Sequence, residues 1–586
     1  MTVGDQSHRY LGMLIAAGLC MLGMSLFLGC NNSGNQSGFV NRQIEDDASP
    51  DPPEVQVGER LFLETRFAQF FKVYLDQGGK VNTPLPNGDP VMDTTVTTGQ
   101  PLLGPFAGQS MNCRACHLVD EQLSTSGGGM RTYADFARRS PIPDRGDGKT
   151  TTPRNSPPLV NATLSRSSPF LLHFDAEFVS TADLVAATYT GRNFGWLPGE
   201  AQTAVAHIAR IIREDDGKGD LAAQFGNISY ATLLTGTAPI IPPDLRLPDT
   251  FRLNVATATD DEIFQLVQRL VAAYTENLIF SQDDKGIFNL SPFDVFLRTN
   301  NLPQQPDPNE SDIDYSRRLL QAVKSREQAG GLQFITWNPA TRDGKFKFHN
   351  QEFRFGASEL QGLKIFLTEP TTVPIPQNIL AQGKIGNCLA CHAAPNFTDF
   401  KLHNTGTAQT EYDNVHQGAP KFADLFIPDL ATRNADPDLY LPATAQHPNA
   451  LEPFRRVPIS SNAVWTDLGV WNIFANPDFP LPQDSIRLIL CESQQPVCPS
   501  DDTLLSLSIA RFKTPGLRDL GHSAPYMHTG QFDSLEAIIA FYRNVSALAR
   551  AGTLLNSDPE IAKTGLIAAD TTALVDFLKS LNEDYE

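Results

Sequence analysis

Two stretches of five residues decide what this chain can become: Cys113-Arg114-Ala115-Cys116-His117 and Cys388-Leu389-Ala390-Cys391-His392. Two thiols three positions apart lie on adjoining turns and can add to the two vinyl groups of one porphyrin. The histidine that follows is carried beneath the ring, where its imidazole can bind the iron. With only 8 Cys and 11 His in 586 residues, two copies of this spacing point to two covalently attached c-type haems. The alternatives are a thioredoxin-like redox pair and half of a zinc site. A zinc ribbon keeps its two Cys pairs close together, whereas 275 residues separate Cys113 from Cys388.

The N-terminus sets the compartment. An apolar run from Leu11 to Leu28 ends in Leu26-Phe27-Leu28-Gly29-Cys30 and is followed by the polar Asn31-Asn32-Ser33-Gly34. The run is long for a signal segment, so an uncleaved membrane anchor is one reading. The stretch also resembles a bacterial lipoprotein cleavage site, which implies that Cys30 is lipidated and that residues 1–30 are the signal segment. Either way the body lies outside the cytoplasmic membrane, in the periplasm and tethered to the membrane, and this is the compartment where c-type haem is attached. Residues 31–55 are polar and Pro-rich and read as a flexible linker. Cys491 and Cys498 remain, seven apart in a loop-like run, and an oxidising compartment favours a local disulfide between them. The net charge of −20 argues against nucleic acid as a partner.

The chain then reads as mainly helical. Gly58 to Phe71 and Glu359 to Phe366 carry apolar residues at helical spacing ahead of the two haem motifs. Glu200 opens an amphipathic helix through Ile212, and Asp261 to Gln282 presents Ile263, Leu266, Val267, Leu270 and Val271 on one face. The expected architecture is an N-terminal cytochrome c domain over 56–215, an elaborated helical region over 216–354 and a C-terminal cytochrome c domain over 355–586.

Two further stretches carry a resemblance. One is Thr152-Pro153-Arg154-Asn155-Ser156-Pro157-Pro158-Leu159-Val160-Asn161-Ala162 with His173-Phe174-Asp175. The other runs Phe512-Lys513-Thr514-Pro515-Gly516-Leu517-Arg518-Asp519-Leu520, then Ser523-Ala524-Pro525-Tyr526-Met527-His528-Thr529-Gly530. Together with the haem motifs they resemble the bacterial di-haem cytochrome c peroxidase family, closer to its methylamine dehydrogenase maturation subgroup. The resemblance implies two haem domains packed together, with a calcium ion held by Asn161 and the backbone carbonyls of Ser523 and Pro525. The family's inter-haem tryptophan is Phe174 here, with Trp196 as a possible substitute. The family's distal acid–base glutamate corresponds to Glu200.

The iron ligands follow from the same comparison. The first haem has His117, and no histidine occurs between Leu118 and Leu172 to cap its other face, so an open, five-coordinate iron is expected, with His173 as the rival sixth ligand. At the second haem, with His392, the ligand position holds Tyr542, where the peroxidases have Met and the maturation enzyme has Tyr. Met527 is the rival. A phenolate favours ferric iron, whereas a thioether raises the potential. His403 reads as a structural or propionate-side histidine. The implied activity is reduction of hydrogen peroxide to water, with electrons from a small donor protein, a cytochrome c or a cupredoxin, passing from the C-terminal to the N-terminal haem. The alternatives are oxidation of a partner protein or organic substrate, as in the maturation enzyme or the rubber oxygenases, and a non-catalytic di-haem electron carrier.

Overall fold

The computed structural model describes residues 51–86, 88–89, 91, 110–117, 139–346, 349–492, 494 and 496–584. The signal segment, the lipidation site Cys30 and most of the linker lie outside the described residues. Asp51 to Glu586 form one compact unit. It is mainly helical, and its one regular strand pairing among the described residues is the antiparallel ribbon of Leu402–His403 against Phe512–Lys513. No helix among the described residues is long and apolar enough to cross a membrane.

The same helix crossing occurs twice, once beside each haem motif. In the first half, Pro53–Phe62 packs against Asp260–Asn277. The first of these starts on a proline, which needs no amide partner there, with Glu54 in its first turn. The second starts on a capping box, in which the Thr259 hydroxyl accepts from Glu262 N at 3.2 Å and the Glu262 carboxylate accepts from Thr259 N at 2.8 Å. The helices touch at Gly58, where a Cβ would collide with the Leu270 carbonyl. In the second half, Ala357–Phe366 packs against Thr571–Lys579, and a Cβ on Gly362 would collide with the Ala573 carbonyl and crowd Phe577. Four residues after each glycine comes a buried phenylalanine, Phe62 or Phe366. Gly-Glu-Arg-Leu-Phe and Gly-Leu-Lys-Ile-Phe are therefore equivalent pieces, and glycine is required at both because the backbones meet.

This places the helix 260–277 in the first half. The sequence reading cut the chain at 215 and set 216–354 apart, but the first apolar core runs from Val55 to Phe288, with Phe400 added, and the second begins at Phe293. Long polar and Pro-rich connections hide this in the sequence; the two helices that close the core lie about 200 residues apart. A third core gathers Leu171 and Ala176 with residues from Leu402 to Phe512, including the fully buried Trp471. It stands between the second haem motif and the C-terminal signature, and the sequence reading did not single it out. The expected helix from Gly58 to Phe71 is two helices, Pro53–Phe62 and Gln69–Asp76. Cys491 and Cys498 form a disulfide, with Cα atoms 4.9 Å apart.

Candidate haem sites

Each Cys-x-x-Cys-His stretch opens into its own apolar cavity. The first, about 1240 Å³ to its open mouth, is lined by Phe62, Cys113, His117, Val271 and Thr275 among others. The second, about 1560 Å³, is lined by Phe366, Cys388, Cys391, His392, Leu574 and Leu578. Val271 and Thr275 follow Leu270 as Leu574 and Leu578 follow Ala573, so the crossing helices present equivalent positions to both cavities.

The motif cysteines and histidines are half-buried, and the thiols are free. Cys113 to Cys116 form one helical turn, and none of the four motif cysteines is disulfide-bonded. Burial pushes the Cys113 and Cys388 thiols up to about 12 and Cys116 to about 11. Cys113 Sγ lies 3.9 Å from the Tyr189 hydroxyl, which itself donates to the Leu61 carbonyl. Burial lowers His117 to about 4, against the pull of the Pro157 carbonyl beside it, and burial likewise lowers His392. Both imidazoles are therefore neutral and free to ligate. The His392 Nδ1–H donates to the Phe397 carbonyl at 3.0 Å, which leaves Nε2 for a metal, the usual support of a ligating histidine.

A haem also brings two propionates, and two half-buried cations stand nearby. Lys513 lines both cavities. Burial, with Arg166 nearby, pushes its ammonium down to about 7, and among the described residues no acidic side chain meets it. Arg166 lies 3.7 Å over the Phe400 ring, with one guanidinium nitrogen unsatisfied. A buried cation without a counter-charge is costly. The apolar cavities, the free thiols, the neutral histidines and these cations together fit covalent haem.

The cavities share a wall made by Pro158, Phe174, Lys513, Pro515 and Gly516. Phe174 thus stands between them. Trp196, the proposed substitute, does not line either; it is buried in the first core, 5.9 Å from His207. Tyr542 lines the second cavity with His392, as does Met527. The Tyr542 hydroxyl has no hydrogen-bond partner among the described residues, and burial raises its pKa, the Cys391 and Cys388 thiols adding to the effect. A phenolate there needs a cation in the cavity. His403 is occupied on both nitrogens, by Asp558 at 2.6 Å and Asp399 at 2.9 Å, and is held charged; it is structural.

Two expectations are not met. Glu200 lines neither cavity. It stands at the N-cap position of the helix Ala201–Glu214 without a side-chain capping bond; its carboxylate instead accepts from Leu197 N at 2.8 Å and is gripped by Arg145 at 2.7 and 3.1 Å. Burial would raise its pKa, but Arg145 and the Leu197 amide hold it below the usual carboxylate value. A carboxylate so paired is turned away from acid–base work. The calcium oxygens are also not gathered. Asn161 Oδ1 accepts from Phe280 N at 2.8 Å, while Asn155 Nδ2, not Asn161, reaches the Pro525 carbonyl at 2.5 Å. Ser523 and Pro525 line the second cavity and Asn161 the first. These residues do not fit a calcium ion.

The sequence reading missed a buried ionic network under the shared wall. Arg154 grips Asp467 at 2.6 and 2.9 Å and pairs with Asp175 at 2.5 Å. Asp175 also pairs with Arg455 at 3.0 Å, and Arg455 holds Glu177 at 2.5 Å. Glu177 lies 3.3 Å from His173 Nδ1, and His173 lines the first cavity.

Comparison with known proteins agrees with this chemistry. The chain is 28% identical over 205 residues to the cytochrome-c peroxidase IdrP2 of Pseudomonas sp. (strain SCT), which is 35% of this chain and 38% of that protein. It is 25% identical over 197 residues to IdrP2 of Denitromonas iodatirespirans, 34% of this chain and 36% of that protein. The chain is a relative of cytochrome-c peroxidases. The matched stretches span less than two fifths of these relatives' length. Among solved structures, the diheme peroxidase BthA of Burkholderia thailandensis E264 is similar at a TM-score of 0.42 and 14% identity, covering 91% of this chain and 87% of that one. A MauG-like protein associated with microbial copper homeostasis gives 0.38 and 14%, covering 92% and 91%. No family model matches.

Proposed function

We propose that this protein is a di-haem oxidoreductase of peroxidase type, built from two cytochrome c-like domains, that reduces hydrogen peroxide with electrons from a small donor protein. The observation that carries the reading is the doubled construction: two Cys-x-x-Cys-His cavities, each flanked by a glycine-crossed helix pair, on either side of one shared wall. Covalent haem supplies one-electron redox chemistry and an iron at which peroxide can bind. The chain's own part is to ligate through His117 and His392, to exclude water with apolar walls, and to neutralise propionates with Lys513, which lines both cavities. Peroxide reduction takes two electrons, and two sites that share Phe174 in their wall can furnish one each. We assign peroxide to the first cavity and electron entry to the second, where Tyr542 pairs with His392. The body is read as periplasmic and tethered through Cys30.

The test is turnover of the purified di-haem protein with reduced cytochrome c or cupredoxin. Peroxide-dependent oxidation of the donor is expected. Two low-spin haems that ignore peroxide would leave only an electron carrier. One observation favours a second reading: the unpartnered phenol of Tyr542 suits a ferric-favouring haem and hence oxidation of a partner protein or bulky organic substrate. Peroxide consumption that requires such a substrate, and proceeds without a reduced donor, would select it.

A further inference from the structure

We infer that His173 is the acid–base residue of the first haem site, the side chain that moves the peroxide proton. The inference rests on the peroxidase reading above. Among the described residues that line the first cavity, six have side chains that can carry a proton or a charge: Cys113, His117, His173, Tyr189, Lys513 and Arg518. Cys113 is committed to the ring and His117 to the iron. The Tyr189 hydroxyl is given to the Leu61 carbonyl. Arg518 is locked on both oxygens of Asp294, at 3.0 and 3.1 Å. Lys513 is the cation of the shared wall. Of the two groups left that can both accept a proton and give it back, Lys513 and His173, only His173 belongs to the first cavity alone and has a carboxylate behind it.

Its setting is built for that task. Nδ1 faces Glu177 at 3.3 Å, so the Nδ1–H tautomer is favoured and Nε2 keeps its lone pair. Glu177 is fixed by Arg455 at 2.5 Å, and Arg455 by Asp175, which also meets Arg154. His173, Asp175 and Glu177 offer ligand atoms within 4.8 Å of one another. Guanidiniums already sit against both carboxylates, Arg455 on each and Arg154, shared with Asp467, on Asp175, so the cluster orients an imidazole rather than holding a cation. The edge of Phe178 abuts the ring at a centroid distance of 4.8 Å. The backbone at His173 has φ +61°, an unfavourable conformation for a residue with a side chain, and such strain collects at functional sites.

The step balances. His173 Nε2 takes the proton from the inner oxygen of peroxide and returns it to the outer oxygen as the O–O bond breaks, and that oxygen leaves as water. The inner oxygen becomes the second water on receipt of two electrons and two protons, the electrons drawn from a one-electron donor protein. General acid–base catalysis of this kind contributes roughly 10²–10⁴-fold.

The experiment uses the di-haem protein with His173→Gln, His173→Ala and Glu200→Gln. Stopped-flow absorption gives the second-order rate with peroxide. The rate of hydrogen cyanide binding, which also needs a proton acceptor, and the ferric spin state are measured alongside. Expected are a high-spin haem in the wild type, a loss of roughly 10²-fold or more in both rates for the His173 variants, partial rescue of His173→Ala by added imidazole, and no loss for Glu200→Gln. Unchanged rates in His173→Gln, or an equal loss in Glu200→Gln, overturn the inference and leave the peroxidase reading standing. A wild-type first haem that is low-spin and turns high-spin in His173→Ala makes His173 a ligand and also overturns it. A wild type inert to peroxide removes both.

Discussion

Arg154 is the most consequential charge in the molecule. Its side chain is 8% exposed, Asp467 4% and Asp175 0%. Replacing it by Met keeps most of the volume but strands carboxylates away from water. Removing one partner of a buried ion pair costs about 3–5 kcal/mol. Here Asp467 keeps the Gly469 amide at 2.9 Å and Asp175 keeps Arg455 at 3.0 Å, so the lower end applies, about 3 kcal/mol. With a guanidinium slope of about 6 kcal/mol/M, the unfolding midpoint should fall by about 0.5 M. The loss should depend on pH in a fixed direction. Burial would raise Asp467, but Arg154 holds it below the ordinary carboxylate range. In the wild type that carboxylate therefore stabilises above its unfolded pKa, near 3.9, and the contribution is lost as pH falls through its lower folded value. In Arg154→Met burial acts on Asp467 without its cation, so the proton binds early. The difference between the proteins should be widest near pH 7 and close as pH drops from about 5 towards 3. Arg317→Met is the control: that arginine is 52% exposed beside Asp314 and Glu369, and such pairs are worth about 0–1 kcal/mol. Equal midpoint shifts in the two variants, or an Arg154 deficit that does not narrow in acid, would refute the reasoning.

Four further outcomes are expected. Cys388→Ala with Cys391→Ala should lower the pyridine haemochrome count from two haems to one while the first stays attached; two retained haems would remove the motif reading. Tyr542→Met should raise the potential of the second haem in spectroelectrochemistry, because thioether replaces phenolate, and an unchanged potential would hand the ligand position to Met527. Lys513→Met removes the cation common to both cavities, and the potentials of both haems should fall; a rise in either contradicts the assignment. Gly362→Val should prevent stable folding of the second half, since the Ala573 carbonyl occupies the space, and a stable di-haem variant would show that the crossing tolerates separation.

What could be read from the sequence was the chemistry that is local in the chain. A Cys-x-x-Cys-His run must be contiguous to straddle one porphyrin, so it is legible wherever it occurs. Helices were legible as periodic faces, Asp260–Asn277 among them. Partnerships were not. Nothing in the residues around Glu200 announces Arg145, 55 positions earlier. Asn155 and Asn161 sit in the same loop, and only the fold decides which amide reaches Pro525. Gly58 and Gly362 look like ordinary helix glycines until a carbonyl from some 200 residues away occupies the place of their missing Cβ. The ionic network joins residues from 154 to 467, and each member alone reads as a surface charge.

The segments that form the shared wall are tied to one another by backbone hydrogen bonds, and this makes Phe174 the cleanest place to test electron passage. Lys513 N donates to the Phe174 carbonyl at 2.7 Å, and Thr514 N donates to the Lys401 carbonyl at 2.8 Å. Leu402 and His403 pair in register with Lys513 and Phe512. Three stretches of chain, from the first half, the middle and the C-terminal signature, are thus tied by main-chain hydrogen bonds that a change of side chain leaves intact. Phe174→Trp should therefore preserve the fold and both haems while placing an oxidisable ring in the shared wall, and electron exchange between the haems after a flash or a reductant pulse should quicken. Phe174→Ala should slow it with little change in the spectra of either haem. Equal exchange rates in wild type, Trp and Ala variants would mean that electrons cross elsewhere, through Pro515 and Gly516, and that the phenylalanine is only packing.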